Sequence, residues 1–167
     1  KRVEGRSWDE LLCAARKEGA LDLAIEIQRL VDVCEAIAFA HSRGVLHLDI
    51  KPDNVMVGDF GEVLVMDWGC ASLFDDHRWT NQPDLPRVRN LQRPRGTPLF
   101  MSPELARGEG KSIGPHTDVY LLGATLYTLL SDAPMRPGVT TQEVVVQAVN
   151  GFVEPLPTGT DQALAAL

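Results

Sequence analysis

The stretch His47-Leu48-Asp49-Ile50-Lys51-Pro52-Asp53-Asn54, followed by Asp67-Trp68-Gly69, decides how this sequence is read. It sets the carboxylates of Asp49 and Asp67, the amide of Asn54 and the ammonium of Lys51 on loops. Between the two segments lie Val55-Met56-Val57 and Val63-Leu64-Val65-Met66, β-rich runs separated by Gly58-Asp59-Phe60-Gly61-Glu62. That pattern predicts a small hairpin with a glycine-assisted turn. A hairpin folds back on itself, so the loops flanking it can converge on one edge.

Outward from this centre the sequence is mostly helical. On the N-terminal side, Leu23, Ile27, Leu30, Cys34, Ile37 and His41 recur at steps of four and three, with Val31 and Ala38 widening the stripe. Asp22, Glu26, Arg29, Asp32 and Glu35 occupy the other faces, and Gly44 supplies a left-handed stop. This predicts a long core-facing helix. Before it, Ser7-Trp8-Asp9-Glu10 has the form of a capping box and opens a short helix to about Lys17, ended by Gly19. Val45-Leu46-His47 reads as short and extended. From Ser72 to Thr97 the chain is polar, contains Pro and Arg, and lacks any period, as a functional or disordered loop does. Ser102-Pro103-Glu104 restarts a helix with an N-cap and a proline at its first position. A helix from about Thr117 to Leu130 is apolar nearly all round and belongs in the domain's centre. Thr140-Thr141-Gln142-Glu143 begins another, ending at Asn150-Gly151, and Asp161 is a candidate cap for one more.

The sequence has 167 residues, 44% hydrophobic and 23% charged, which is enough for one domain with its own core. A formal net charge of −7 argues against nucleic acid or an anionic lipid surface as the main partner. No apolar run approaches the roughly 20 residues of a membrane helix, and no signal-peptide pattern is present. Cys13, Cys34 and Cys70 are scattered and odd in number, so neither a zinc site nor a disulfide framework is expected; reduced thiols in a cytoplasmic compartment fit. The opening Lys1 and the apolar run Ala163-Leu164-Ala165-Ala166-Leu167 suggest a piece of a longer protein. Oligomeric state is not legible.

Two acids, an amide and a lysine together suit phosphoryl transfer from a nucleotide. One acid orients the attacking hydroxyl, oxygen ligands hold Mg²⁺, and a cation offsets charge on the moving group. The expectation is that Asp49 and Asp67 face each other across a gap of that size. Here the sequence resembles the protein kinase family. His47 to Asn54 is similar to its catalytic loop, Asp67-Trp68-Gly69 to its metal-binding D-F-G, and Ser102-Pro103-Glu104 to the A-P-E closing its activation segment. Thr117-Asp118-Val119-Tyr120-Leu121-Leu122-Gly123 is similar to the start of the central helix of its large lobe. Four motifs stand in the family's order over nearly the whole chain.

The resemblance implies a mainly α kinase-like C-terminal lobe with a small β-hairpin, partial over residues 1–167. It implies transfer of the ATP γ-phosphate, with Mg²⁺, to Ser or Thr of a protein. Asp49 would orient the substrate hydroxyl and Lys51 contact the transferring phosphate, while Asn54 and Asp67 would hold the metal. Thr97 would bridge Asp49 and Lys51, His47 support Asp49 beside Trp68 and Gly69, and Asp118 anchor the catalytic loop from below. The Gly96-to-Glu104 stretch and Lys51 follow the serine/threonine pattern, and the same stretch argues against a small-molecule kinase. Leu48 replaces the usual Arg, implying activation without loop phosphorylation, for which Thr80 is the candidate to test. Trp68 replaces Phe. Nothing before Asp49 resembles the Gly-rich loop, strand lysine or helix glutamate of the N-terminal lobe, and Lys1 to Ser7 resembles the hinge after them. A late arginine partner for Glu104 is also missing. The chain by itself is therefore expected to bind ATP poorly, with activity belonging to the parent protein. A catalytically inactive scaffold module is the alternative.

For other residues a plain structural role is the default. The arginines Arg78, Arg87, Arg89, Arg93 and Arg95 read as a solvated surface, with substrate or phosphate docking as the other option. Cys70 reads as a small buried filler, with a reactive thiol as the other option. Asp118 can also be a helix N-terminal acid favoured by the dipole. Trp8 and Trp79 read as a helix-packing and a loop contact.

Overall fold

The computed structural model describes residues 5–74, 85–158 and 160. Thr80, Arg78, Trp79, Asp161 and the apolar run 163–167, all singled out above, lie outside them. Among the described residues the chain runs β1 (Arg6–Ser7), α1 (Trp8–Lys17), α2 (Leu23–Ser42), β2 (Val45–Leu46), β3 (Val55–Val57), β4 (Val63–Val65), β5 (Ser72–Leu73), α3 (Pro103–Arg107), α4 (Pro115–Ser131) and α5 (Thr141–Val149). Strands β3 and β4 form the expected hairpin, in antiparallel register with Val55 opposite Val65. Two pairings were not legible in the sequence. Strand β1 adds to β3, and β2 pairs antiparallel with β5. Both involve two-residue strands, too short for any alternation to register.

The helix starts follow their caps. Ser7 Oγ accepts from Glu10 N at 3.2 Å and Glu10 Oε2 accepts from Ser7 N at 3.3 Å. Thr140 and Glu143 repeat the device on α5, and Ser102 Oγ accepts from Leu105 N on α3. Each satisfies amides that the first turn leaves without partners.

Helices α2 and α4 are the two long elements of the core, and β2 with its following loop lies against both. The buried face of α2 differs from the expected stripe. Leu30, Val33, Ile37 and Ala40 are buried together with Glu26, whereas Val31 and Ala38 are exposed. Glu26 leaves the polar face because the buried Trp8 donates its indole N–H to Glu26 Oε2 and Arg29 bonds both carboxylate oxygens. A buried carboxylate is tolerable when it is both ion-paired and hydrogen-bonded. Trp8 thereby ties α1 to α2. The flank of α2 bearing Cys34, Ala38 and His41 meets Val119, Leu122 and Leu126 of α4 across an open apolar groove.

Candidate active site

Strand β2 delivers the chain into the catalytic-like loop, and what holds this loop is Asp118. Its side chain is fully buried in the first turn of α4. Its Oδ2 accepts from His47 N at 2.9 Å and lies 2.8 Å from His41 Nε2; its Oδ1 accepts from Leu48 N at 2.8 Å. One carboxylate thus gathers α2, α4 and the loop. Leu48 has a left-handed backbone, φ 66°, with its side chain wholly in the core. Such a conformation costs a non-glycine residue about 1–3 kcal/mol, and here a charged hydrogen bond and burial offset it.

The turn at Leu48 presents Asp49. Its Oδ2 accepts from Asn54 Nδ2 at 2.9 Å and stands 3.6 Å from Lys51 Nζ; its Oδ1 accepts from Thr97 N at 2.8 Å. Lys51 Nζ also donates to Thr97 Oγ1 at 2.6 Å. Asp49, Lys51, Asn54 and Thr97 therefore form one connected cluster. Gly96 makes the approach of Thr97 possible. At φ +84° it takes a backbone that side chains disfavour, and a Cβ there would sit 2.6 Å from Leu48 O. In the sequence Gly96 carries no mark of its own; that it is obligatory is steric and appears only in three dimensions.

Asn54 Nδ2 bonds both the carbonyl and the carboxylate of Asp49. Two oxygen acceptors on that side fix the amide orientation and turn Asn54 Oδ1 away as a further acceptor. The hairpin register brings the second loop beside it. Val55 pairs with Val65, Met66 N donates to Asn54 O at 2.8 Å, and Asp67 is the next residue. Asp67 is exposed and left-handed, φ 56°, with Oδ1 accepting from Gly69 N at 3.2 Å.

His47 links the two loops. Its Nδ1 accepts from Asp49 N at 3.2 Å, which places the ring proton on Nε2, 3.0 Å from the carbonyl of Met66. Its ring meets the Trp68 indole edge-on at 4.7 Å, and Trp68 Nε1 donates to Val65 O. Trp68 remains 40% exposed. The indole is anchored through its N–H at the rim and covers His47 with one edge.

Cys70 is half-buried rather than enclosed. Burial pushes its thiol above the ordinary range, the Asp49 carboxylate adds to this and Asp67 contributes in the same direction; the Gly96 N–H and Arg95 pull the other way. Both site carboxylates are therefore within electrostatic reach of one sulfur. Of the arginines set aside above, Arg89 and Arg93 are exposed and Arg87 and Arg95 half-buried. Glu104 sits in α3 and takes a hydrogen bond from Thr117 Oγ1 at 2.8 Å, a partner not foreseen. No helix among the described residues is long and apolar enough to cross a membrane.

A family model described as the protein kinase domain matches residues 3–163. Among curated relatives, serine/threonine-protein kinase PknD of Protochlamydia amoebophila is 38% identical over 120 residues, 65% of this chain and 12% of the relative. Serine/threonine-protein kinase PknB of Mycobacterium tuberculosis is 34% identical over 140 residues, covering 84% of this chain and 21% of the relative. A probable serine/threonine-protein kinase of Corynebacterium efficiens is 32% identical over 157 residues, covering 94% and 22%. The chain thus spans about a fifth or less of the length of these curated relatives. With a catalytic-like loop, a hairpin and a second acidic loop gathered at one edge, and a domain match running nearly end to end, the chain belongs to the protein kinase family, in its bacterial serine/threonine branch.

Proposed function

We propose that this chain forms the larger lobe of a protein kinase domain, whose parent protein transfers the γ-phosphate of ATP to Ser or Thr hydroxyls of protein substrates. The observation that carries the reading is the cluster of Asp49, Lys51, Asn54 and Thr97, tied through the hairpin to Asp67. Asp49 is fixed by donors on both oxygens and still has lone pairs to accept the substrate hydroxyl's proton. Lys51, bridging Asp49 and Thr97, is placed to follow a phosphoryl oxygen as negative charge builds. Thr97 narrows the space beside Asp49, which favours a small aliphatic hydroxyl. Leu48, buried in the core, presents no cation to an activation-loop phosphate, in keeping with activation that does not require one.

The residues fit magnesium. Asn54 Oδ1 and the exposed Asp67 carboxylate are hard oxygen donors, and Mg²⁺ is commonly held by one or two carboxylates with nucleotide phosphates completing its shell. Bound there, the metal supplies neutralisation of charge on the phosphates. The cytoplasmic compartment inferred from the thiols belongs to this proposal too.

The test is phosphate transfer from labelled ATP to Ser/Thr peptides by the full-length protein and its Asp49→Asn variant. Transfer falls at least about 10²-fold in the variant, as expected for loss of a group that handles a proton. Equal incorporation by the two proteins removes Asp49 from this role. No transfer by a folded wild type replaces the enzyme reading with the scaffold one.

A further inference from the structure

Arg136 is completely buried in the irregular segment after α4, yet no carboxylate among the described residues pairs with it. Its Nε donates to Phe152 O at 3.0 Å and its Nη1 to Leu99 O at 3.1 Å. Its Nη2 donates to the hydroxyl of Tyr120, whose ring centroid is 5.7 Å from the guanidinium carbon. Burial pulls this guanidinium below the ordinary arginine range, with Tyr120 opposing. Enclosing a cation without a counter-ion is costly, and an apolar side chain of similar volume generally fills such a space at lower cost. The charge therefore calls for a function beyond filling.

What the guanidinium grips supplies that function. Leu99 lies inside the turn closed by Phe100 N donating to Thr97 O at 3.0 Å. The same Thr97 donates its N–H to Asp49 and accepts from Lys51. Arg136 is thus joined to the Asp49 cluster through one short turn. At its other end it is joined to α4 through Tyr120 and to the segment after α5 through Phe152. The five N–H groups of a planar guanidinium can reach three separate elements at once; a lysine ammonium at this site lacks the span.

We infer that Arg136 is a positioning residue that fixes the Thr97–Phe100 turn against Asp49, so that it sets delivery of the protein acceptor rather than the handling of nucleotide. This rests on the kinase reading proposed above for the same cluster. A turn released from Leu99 O lets Thr97 drift from Asp49, and misplacement near 1 Å costs about 10²-fold in a reaction that depends on alignment.

The experiment uses the full-length protein with Arg136→Met, Arg136→Lys and Tyr120→Phe, the last removing only one acceptor and keeping the ring. Peptide phosphorylation falls about 10- to 100-fold in Arg136→Met. Slow hydrolysis of ATP by water and the KM for ATP change by less than about threefold, since Lys51 keeps its Asp49 partner when Thr97 moves. Arg136→Lys recovers part of the loss, and Tyr120→Phe shows a smaller defect of the same kind. Amide hydrogen exchange is read on the same proteins. Thr97 and Phe100 exchange at least about tenfold faster in Arg136→Met, while His47 and Leu48, held by Asp118, keep their protection. Peptide transfer and ATP hydrolysis falling together, or exchange accelerating uniformly, makes Arg136 a general stabiliser and overturns the inference. Unchanged exchange at Thr97 and Phe100 overturns it as well, and does so even if the wild-type protein transfers no phosphate. An inactive wild type with the local exchange change refutes the kinase reading alone.

Discussion

The two acidic loops of the site are built in opposite ways. The His47–Asn54 loop is sunk into the domain, with His47 and Leu48 fully enclosed and Asp49 and Asn54 each 8% exposed. The Asp67–Cys70 loop lies at the rim, with Asp67, Trp68 and Gly69 all exposed. Backbone amides of the first are held by a buried carboxylate from another helix; the second is held by Asp67 bonding its own loop and by one indole N–H. Both carry a left-handed non-glycine residue, Leu48 and Asp67. The difference teaches where rigidity is spent: the group proposed to orient an acceptor sits on a fixed base, while the carboxylate proposed for a metal keeps an open face.

Asp118→Ala is the hardest blow to this contrast. It strips acceptors at once from His47 N and Leu48 N, both inside the core, and from the half-buried His41. Removing one partner from a buried charged network costs about 3–5 kcal/mol, and urea unfolding of the full-length protein reads it directly. A loss under about 1 kcal/mol means that the deep loop does not depend on α4, and the contrast fails.

How much of this was legible in the sequence follows from the range of each interaction. The helices declared themselves because capping residues and apolar steps act within a few positions: Ser7 with Glu10, Thr140 with Glu143, Gly44 after α2. The hairpin was legible for the same reason. The grouping of Asp49, Lys51, Asn54, Thr97 and Asp118 came from family resemblance, because Thr97 N reaches Asp49 across 48 positions and Asp118 reaches Leu48 across 70. No local pattern encodes that. Glu26 was misplaced on the polar face because its indole partner stands 18 positions away, in another helix. Arg136, with Met135 before it and Pro137 after, looks in the sequence like any surface loop residue until its burial is seen.

Trp68→Phe probes the shallow loop and carries a smaller effect. It removes the indole donor to Val65 O while keeping a ring beside His47. One net hydrogen bond at a half-exposed site is worth about 0.5–1.5 kcal/mol, well below the Asp118 effect. A shift in the urea midpoint of that size preserves the ordering. A loss equal to that of Asp118→Ala means that the rim loop is as structural as the buried one.

The smallest effect tests whether the two loops sense one another through Cys70. Its thiol is held neutral by burial and next by the Asp49 carboxylate, so deprotonation is disfavoured in the folded state relative to the unfolded one. The sign follows from the protons bound. Above the ordinary thiol range, near pH 9, the unfolded chain loses this proton first, so the stabilising contribution present at neutral pH fades as pH rises through the folded value. At pH 8 the thiolate fraction is correspondingly small, and iodoacetamide modifies Cys70 more slowly than the exposed Cys13. Asp49→Asn removes one of the carboxylates that disfavour the thiolate, so alkylation of Cys70 accelerates by about two- to fivefold, read by peptide mass spectrometry. Asp67→Asn, the weaker of the two influences, accelerates it less. If Asp67→Asn proves the stronger, the sulfur belongs to the rim loop alone, and the deep acid does not extend its field across the site.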